Sequence, residues 1–413
     1  MKLLIWSQHY WPETFGINQL ATALVRHGHE VTVLTGKPNY PEGKIYVGYT
    51  AGGLHLEEHE GVRIVRIPML PRGTGTAWRL ALNYLSFICS GFVLAPFALR
   101  GRSFDAVFVY ATSPLLQALP ALWISWLKRT PLSVWVQDLW PESLRATGFV
   151  RSPLLLSAVS RVVRNIYRCS NSILVQSEAF RHPVAKVCGQ PSKIYYFPNP
   201  SPASSDYLAG ESLPDGLQEA LIGKFSVVFA GNIGKAQSVE TILLAAQFLA
   251  DVTDIHFYIV GAGSEAGTAF SMLSDMRLAN VSMTGALPLM AMPALFRAAS
   301  ALLVTLAPNP ALDATVPSKV QAYLSAGKPI IASMNGEGAR LVQVAEAGLI
   351  CPAGDARALA ECVLTLGRMT SLERDRLGSN GRQYASTHFD LDSRVRELVS
   401  HLGSLGSNPP PRM

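Results

Sequence analysis

Leu20-Ala-Thr-Ala-Leu-Val-Arg26-His27-Gly28-His29-Glu30-Val-Thr-Val-Leu34-Thr35 reads as one helix, one stop and one strand. The apolar helix ends at Arg26-His27, Gly28 supplies the left-handed residue that closes it, and Glu30–Leu34 runs on as a strand. Lys2–Ser7 ahead of it is already strand-like, so the opening is a strand–helix–strand unit. Working outward, further short runs rich in Val, Ile and aromatics fall at Val62–Ile67, Ala106–Tyr110, Ser133–Gln137, Ser172–Gln176 and Ile194–Phe197. Helix-length segments alternate with several of them. Near-continuous apolar strands of this kind belong to parallel sheets covered on both faces.

The alternation pauses at Pro198-Asn199-Pro200-Ser-Pro202 and a polar stretch reaching Asp215-Gly216. It restarts with Ser226–Ala230, Ile255–Val260, Val281–Met283, Ala301–Leu306, Pro329–Ser333 and Gly348–Cys351. The chain is therefore read as α/β: two doubly wound, Rossmann-like parallel-sheet domains facing one another across a cleft. Residues 1–200 form the first and 201–403 the second, whose last helix is free to return to the first. A flexible tail covers 404–413.

Composition agrees with that size. A chain of 413 residues exceeds the ~250–300 that a single core supports. Hydrophobic residues reach 49% and charged ones only 15%, against about 25% in ordinary soluble chains, which excludes a disordered chain or a nucleic-acid-binding tail. Charge is uneven: residues 1–200 hold 20 Lys and Arg against 10 Asp and Glu, and the remainder holds 15 against 19. Only the first half suits an anionic surface. Five scattered cysteines, never in a C-x-x-C, fit neither a disulfide framework nor a zinc cluster, and Met1–Trp6 offers no cleavable signal, so a reduced cytoplasm is expected.

Three motifs in the second half carry chemistry. Phe229-Ala-Gly231-Asn232-Ile-Gly234-Lys235 closes a strand just before the helical run Val239–Leu249, so Lys235 either faces a diphosphate or is an ordinary surface lysine. Ile259-Val-Gly261-Ala-Gly263-Ser-Glu265-Ala266 fits G-x-G-x-x-[GA]. A dinucleotide site needs an acidic residue at the end of the following strand, and here that strand ends in Thr284-Gly285, so a nicotinamide cofactor is rejected while close backbone approach to a nucleotide is kept. In Asp313-Ala-Thr315-Val-Pro317-Ser318-Lys319-Val-Gln321-Ala-Tyr323, Pro317 is expected in the first helical turn with Ser or Thr as cap. Lys319 in that turn opposes the helix dipole unless an anion sits there.

These stretches resemble retaining GT-B glycosyltransferases of family 4, in the bacterial branch that builds capsule, colanic-acid and O-antigen units (fucosamine-transferase-like). Tyr10-Trp-Pro12-Glu13-Thr-Phe-Gly16, Gln137-Asp138-Leu-Trp140-Pro141-Glu142-Ser143 and Gln176-Ser177-Glu178-Ala-Phe180 extend the match through the first half. The resemblance implies a nucleotide sugar, usually UDP-linked, in the second domain, an acceptor in the first, and retention without a metal or cofactor. It implies that backbone at Gly16 approaches the donor phosphates and that Asn232, Lys235 and Gln237 lie at the diphosphate. Gly261 and Gly263 would border the nucleotide, with Ala286 and Leu287 reading the base. The family often has two glutamates eight positions apart; Asp313 and Gln321 stand there, the first for sugar hydroxyls, the second at the ribose without charge. Lys235, Lys319 and the helix N-terminus would stabilise the leaving diphosphate, whose oxygen takes the acceptor proton, while Asp138 orients acceptor or sugar or else caps the helix after it.

His27-x-His29 flanks a helix end, and His55 and His59 are expected to bracket an acidic turn; no spacing suggests a metal site. His9, at the end of the first strand, sits where a ligand-facing residue would. Leu80–Leu99 is uncharged for 20 residues, with Arg72, Arg79, Arg100 and Arg102 around it. It connects strands Val62–Ile67 and Ala106–Tyr110, taken as parallel neighbours, so a membrane crossing would separate them; a helical segment in the membrane interface fits better than a span, with burial in the core as the competing reading. In Leu154–Arg168, Arg161, Arg164 and Arg168 share a face opposite Leu155, Val159, Val162 and Ile166. The expected protein is a glycosyltransferase, peripheral on the inner face of the cytoplasmic membrane, acting on a polyprenyl-diphosphate-linked saccharide. A nucleotide-sugar epimerase of the same architecture and a transferase with a soluble acceptor are the alternatives.

Overall fold

The computed structural model describes residues 1–73, 76–146, 152–201 and 211–406. Residues 202–210 of the connection and the tail beyond residue 406 therefore lie outside the described residues. The chain divides into two compact units, Met1–Pro198 with the segment from Leu391, and Asn199–Asp390.

In the first unit the strands are β1 (Lys2–Trp6), β2 (Glu30–Thr35), β3 (His55–His59), β4 (Val62–Arg66), β5 (Ala106–Ala111), β6 (Leu132–Val136), β7 (Ser172–Val175) and β8 (Ile194–Tyr196). The helices are α1 (Gly16–Arg26), α2 (Ala77–Ala98), α3 (Ala118–Lys128), α4 (Glu142–Ala146), α5 (Pro153–Cys169) and α6 (Arg181–Cys188). Among the described residues they form one sheet of order β3-β4-β2-β1-β5-β6-β7-β8, parallel except for β3 against β4. The strands β4 and β5 share this sheet but are not neighbours; β2 and β1 lie between them. The acidic turn expected at His55–His59 is instead an edge strand, with His55 opposite Arg66 and His59 opposite Val62. Only Leu56 in it is apolar, and it faces solvent, so no hydrophobic period announces the strand.

The second unit contains α7 (Leu217–Ile222), β9 (Phe225–Ala230), α8 (Val239–Phe248), β10 (Ile255–Val260), α9 (Ala266–Met276), β11 (Val281–Gly285) and α10 (Met292–Ala298). It continues with β12 (Ala301–Thr305), α11 (Pro310–Asp313), α12 (Ser318–Ala326), β13 (Ile330–Ser333), α13 (Gly336–Val344), β14 (Gly348–Cys351), α14 (Ala356–Arg368) and α15 (Ser371–His388). Its sheet is wholly parallel, of order β11-β10-β9-β12-β13-β14. Strand period divides its core in two: Val228 and Ala230 pack on one face, Val227 and Phe229 on the other. A last helix, α16 (Leu391–Ser404), belongs to the first unit and buries Leu391, Val395, Leu398 and Leu402 with Ile17, Leu20 and Leu24 of α1.

Helix α2 is half core and half surface. Phe87, Ile88 and Ala95 are buried, while Trp78, Leu82, Leu85, Phe92, Val93 and Phe97 are exposed in one apolar stripe. Two fixings hold it against its own unit. Asn83 accepts from Gln8 Nε2 at 2.8 Å and donates to Leu70 O at 2.5 Å. At Gly91 an added Cβ would stand 2.9 Å from Pro120 and 3.0 Å from Trp6, so only glycine permits this approach to α3 and β1. In α5 the buried face is Leu156, Val163, Ile166 and Tyr167; Leu155, assigned to it by periodicity, is 51% exposed beside Leu154. Ile166 is buried as expected and Val159 and Val162 are half-buried, so the buried stripe is rotated toward Leu156, Val163 and Tyr167, and Arg161, Arg164 and Arg168 are exposed.

Candidate active site

In an open parallel sheet, ligands gather beyond the carboxyl ends of the strands, where strand order reverses. In the second unit the reversal lies between β9, whose successors run to one edge, and β12, whose successors run to the other. These two strands pair only at Val227 with Ala301 and Val228 with Leu302. Beyond that point the Tyr323 hydroxyl of α12 takes over the free edge of β9, accepting from Ala230 N at 3.0 Å and donating to Ala230 O at 3.3 Å. One phenol on α12 therefore satisfies both backbone groups of Ala230 where the ladder stops.

The loop after β9 is laced to the loop after β10. Gly231 N donates to Val260 O, Ile233 N to Ala262 O, and Glu265 N returns to Ile233 O. The spacing is so close that a Cβ on Gly261 would stand 1.8 Å from Gly231 O, and one on Gly263 2.2 Å from Ile233 O. The two glycines picked out from the sequence for approach to a nucleotide are thus already required by the contact of these loops. Gly261 N donates to Gly285 O at 2.8 Å, which brings the loop of Ala286 and Leu287 alongside. Asn232 Nδ2 donates to Gln237 Oε1 at 3.2 Å, while Lys235 is exposed in the short turn between them.

Lys319 reaches into this loop cluster. Its Nζ is buried, lies 3.6 Å from the centre of the Phe229 ring, and has no hydrogen-bond acceptor among the described residues. An added Cβ at Gly231 would come within 2.6 Å of Lys319 Cε, so glycine leaves room for the lysine. Burial pulls its pKa down to about 7. Both amide atoms of Gln321, a residue 1% exposed, are likewise buried without partners among the described residues. Buried polar atoms are nearly always paired, so the open Lys319 ammonium is an exception that a polar ligand would satisfy; Gln321, two residues on, lies on a different face of α12. Pro317 is the residue before the helix rather than in its first turn, and no side chain caps α12, so the N–H groups of its opening turn are not taken up by a Ser or Thr side chain. Asp313 closes α11, and its carbonyl packs so tightly on Gly336 that a Cβ there would stand 2.0 Å away.

In the first unit Gly16 opens α1, and an added Cβ would meet only the Tyr110 hydroxyl at 3.9 Å; nothing in the unit itself demands glycine. Asp138 follows β6. Ser113 Oγ donates to its Oδ2 at 2.5 Å, and Trp140 Nε1 donates to the same Ser113 Oγ at 2.9 Å. Burial raises the Asp138 pKa, while hydrogen bonds from Ser113, Ser143, Trp140 and the Leu139 N–H counter the rise. The carboxyl thus ties the loop after β5 to the loop and helix after β6.

Three residues escaped the sequence reading: Tyr323, Phe229 as a ring beneath a cation, and Glu13 as the partner of His9. None had a signal in the sequence, since residues 9–13 form no helix and the four-residue spacing of His9 and Glu13 predicts no contact there. Among the described residues no three His, Cys, Asp or Glu side chains come together in a group fit for a metal ion.

Comparison with known proteins accords with this architecture. Residues 15–200 match the family described as "Glycosyl transferase 4-like domain", and residues 224–368 match "Glycosyl transferases group 1". The chain is 25% identical to the putative colanic acid biosynthesis glycosyl transferase WcaI of Escherichia coli K12, over 97% of this chain and 100% of that protein. Among solved structures, HepE of Anabaena in complex with UDP superposes with a TM-score of 0.72 at 16% identity, covering 98% of this chain and 100% of that one. Sucrose-phosphate synthase from Thermosynechococcus elongatus gives 0.75 at 16% identity, covering 98% of each chain. With both halves matched by such domains and the fold shared along nearly its whole length, the chain is a glycosyltransferase of GT-B fold, a glycosyl transferase 4-like domain followed by a group 1 domain.

Proposed function

We propose that this enzyme moves a sugar from a UDP-sugar to a polyprenyl-diphosphate-linked saccharide during assembly of a bacterial surface polysaccharide, with retention at the anomeric carbon and without a metal ion. The observation that carries the reading is the buried Lys319 ammonium, open to an anion, at the N-terminus of α12 and at the switch point of the second sheet. The similarity to WcaI and the UDP held by the HepE structure favour the same choice of donor and pathway class.

Cleaving a sugar–phosphate bond leaves charge on the diphosphate. In a site with little water, a fixed cation and unsatisfied N–H groups stabilise that charge without reorganising. Lys319 and the opening turn of α12 take this role, and Lys235 adds a second, mobile cation. Asn232 and Gln237 hydrogen-bond the diphosphate, Gln321 the ribose, and backbone at Ala286 and Leu287 the base. Asp313 binds hydroxyls of the transferred sugar, and Ser318 lends its N–H to the helix N-terminus. Backbone at Gly16 borders the diphosphate, and Asp138 orients the acceptor. The acceptor hydroxyl attacks the face the diphosphate leaves, and its proton passes to the departing phosphate oxygen.

The acceptor's lipid places the enzyme at the inner face of the cytoplasmic membrane. Helix α2 is long and apolar enough to cross a bilayer by length and composition. Asn83 and Gly91 pin it to its unit, however, and the strands on either side of it join one sheet. Its exposed stripe, with Arg79 and Arg100 at its ends, suits the membrane interface and its anionic headgroups better than a span. The reading is tested by thermal shift with a panel of nucleotides and EDTA present. UDP and UDP-sugars should stabilise the protein and NAD should not; stabilisation that disappears with EDTA would overturn metal independence.

A further inference from the structure

His9 follows β1, and in the first sheet the strand order reverses between β1 and β5, so His9 stands at that unit's switch point. Its residue is 3% exposed. Nδ1 lies 2.9 Å from Glu13 Oε2, while Glu13 Oε1 accepts the backbone N–H groups of Asn39 and Tyr40, each at 2.7 Å. A carboxylate has no proton to offer, so Nδ1 donates, and in the neutral imidazole Nε2 keeps its lone pair. That Nε2 makes no hydrogen bond to any described residue. The imidazole stacks on Phe15 with ring centres 5.2 Å apart, and the Tyr40 ring, 38% exposed, lies 5.7 Å away with the Arg72 guanidinium over one of its faces, 5.0 Å from the ring centre. Aromatic faces around one oriented hydrogen-bond acceptor suit a pyranose, whose C–H faces are apolar and whose hydroxyls donate.

We propose that His9 and Tyr40 form a saccharide subsite of the first unit, in which His9 Nε2 accepts a hydrogen bond from a hydroxyl of the acceptor sugar and the Tyr40 ring lies against its face. This rests on the acceptor reading above and gives it an address. Glu13 is then a positioning residue, acting through the tautomer it imposes.

Glu13→Gln isolates that role. The amide oxygen still accepts from Asn39 and Tyr40, which turns the amide nitrogen toward His9 Nδ1. It donates there, the imidazole proton moves to Nε2, and an acceptor becomes a donor. With a farnesyl-diphosphate-linked hexose as probe, KM should rise about tenfold or more, while UDP affinity and melting temperature stay at wild-type values. The independent readout is 15N NMR of labelled histidine at pH 8. Wild-type Nε2 should be unprotonated and shift on titration with the probe, and Glu13→Gln should show it protonated. A protonated wild-type Nε2, or a His9 resonance unmoved by the probe, overturns the subsite. If the probe moves the resonance but no sugar is transferred, the subsite stands and the proposed reaction falls.

Discussion

Lys319 Nζ lies over the Phe229 ring, 3.6 Å from its centre, and this ring is the one partner the described residues give it. A cation–π contact offsets part of the cost of burial, on the order of 1–2 kcal/mol, but leaves the ammonium's hydrogen-bonding capacity unused. That combination is costly in a resting protein and useful in one that awaits a diphosphate.

Removing this group should therefore separate activity from stability. Lys319→Met should lower kcat/KM for transfer by about 10²–10³. It should also raise the melting temperature at pH 6, below the folded pKa, where the buried amine is mostly charged. The two effects are read by steady-state kinetics and by differential scanning calorimetry on the same preparation. A melting temperature that falls would mean that Lys319 is a structural residue.

The same lysine sets a pH dependence. Its folded pKa is about 7, below the ordinary 10.5 of an unfolded lysine. Between these values the unfolded chain holds one proton more, so the Lys319 contribution makes stability rise with pH across that window and leaves it flat below. The advantage of Lys319→Met should shrink from pH 6 to pH 9. A bound diphosphate favours the charged amine, so UDP binding above pH 7 should take up a proton and weaken as pH rises. Calorimetry in buffers of different ionisation enthalpy measures that uptake, and no uptake at pH 8 would contradict the assignment.

Tyr323→Phe removes a single oxygen that serves both the N–H and the C=O of Ala230. Because the phenol is buried, the loss should cost about 1–3 kcal/mol of stability. UDP affinity should fall with it, since the loop carrying Gly231–Gln237 hangs from that strand end. Unchanged UDP affinity in the folded variant would detach the strand end from the site.

Leu85→Asp and Phe92→Asp place charge in the exposed stripe of α2 without touching its buried face. Co-sedimentation with anionic vesicles should be strong and partly salt-resistant for the wild type and reduced for both variants, with circular dichroism unchanged. A wild type that stays in the supernatant at low salt would end the membrane assignment.

Much of the fold was legible because parallel strands buried on both faces are nearly pure Val, Ile, Leu and aromatic, as in Ile255–Val260 and Leu132–Val136. The edge strand His55–His59 was not, since its pairing is with one neighbour only and its side chains are mostly polar. In α5 Ile166 was placed correctly in the buried stripe and Leu155 was not, because Leu154 and Leu155 are apolar yet exposed and so blur the period. At the site, the importance of Lys319 follows from sequence position, a cation in the first turn of a helix. Its ring partner Phe229 and the support of Tyr323 depend on β9, about 90 residues away in sequence, which no local pattern encodes. The glycines at 261 and 263 were found for one reason and are demanded for another, loop against loop.

The most direct measurement follows a labelled sugar. Purified protein, a panel of UDP-[14C]sugars, a polyprenyl-diphosphate-linked monosaccharide and EDTA are incubated together, and the lipid phase is extracted and counted. The account predicts label in the lipid with at least one UDP-sugar, little label with Lys319→Met, and an α-linked product from an α-linked donor. Label that stays in the aqueous phase for every UDP-sugar while a different nucleotide sugar delivers it, or a product of inverted configuration, would contradict it.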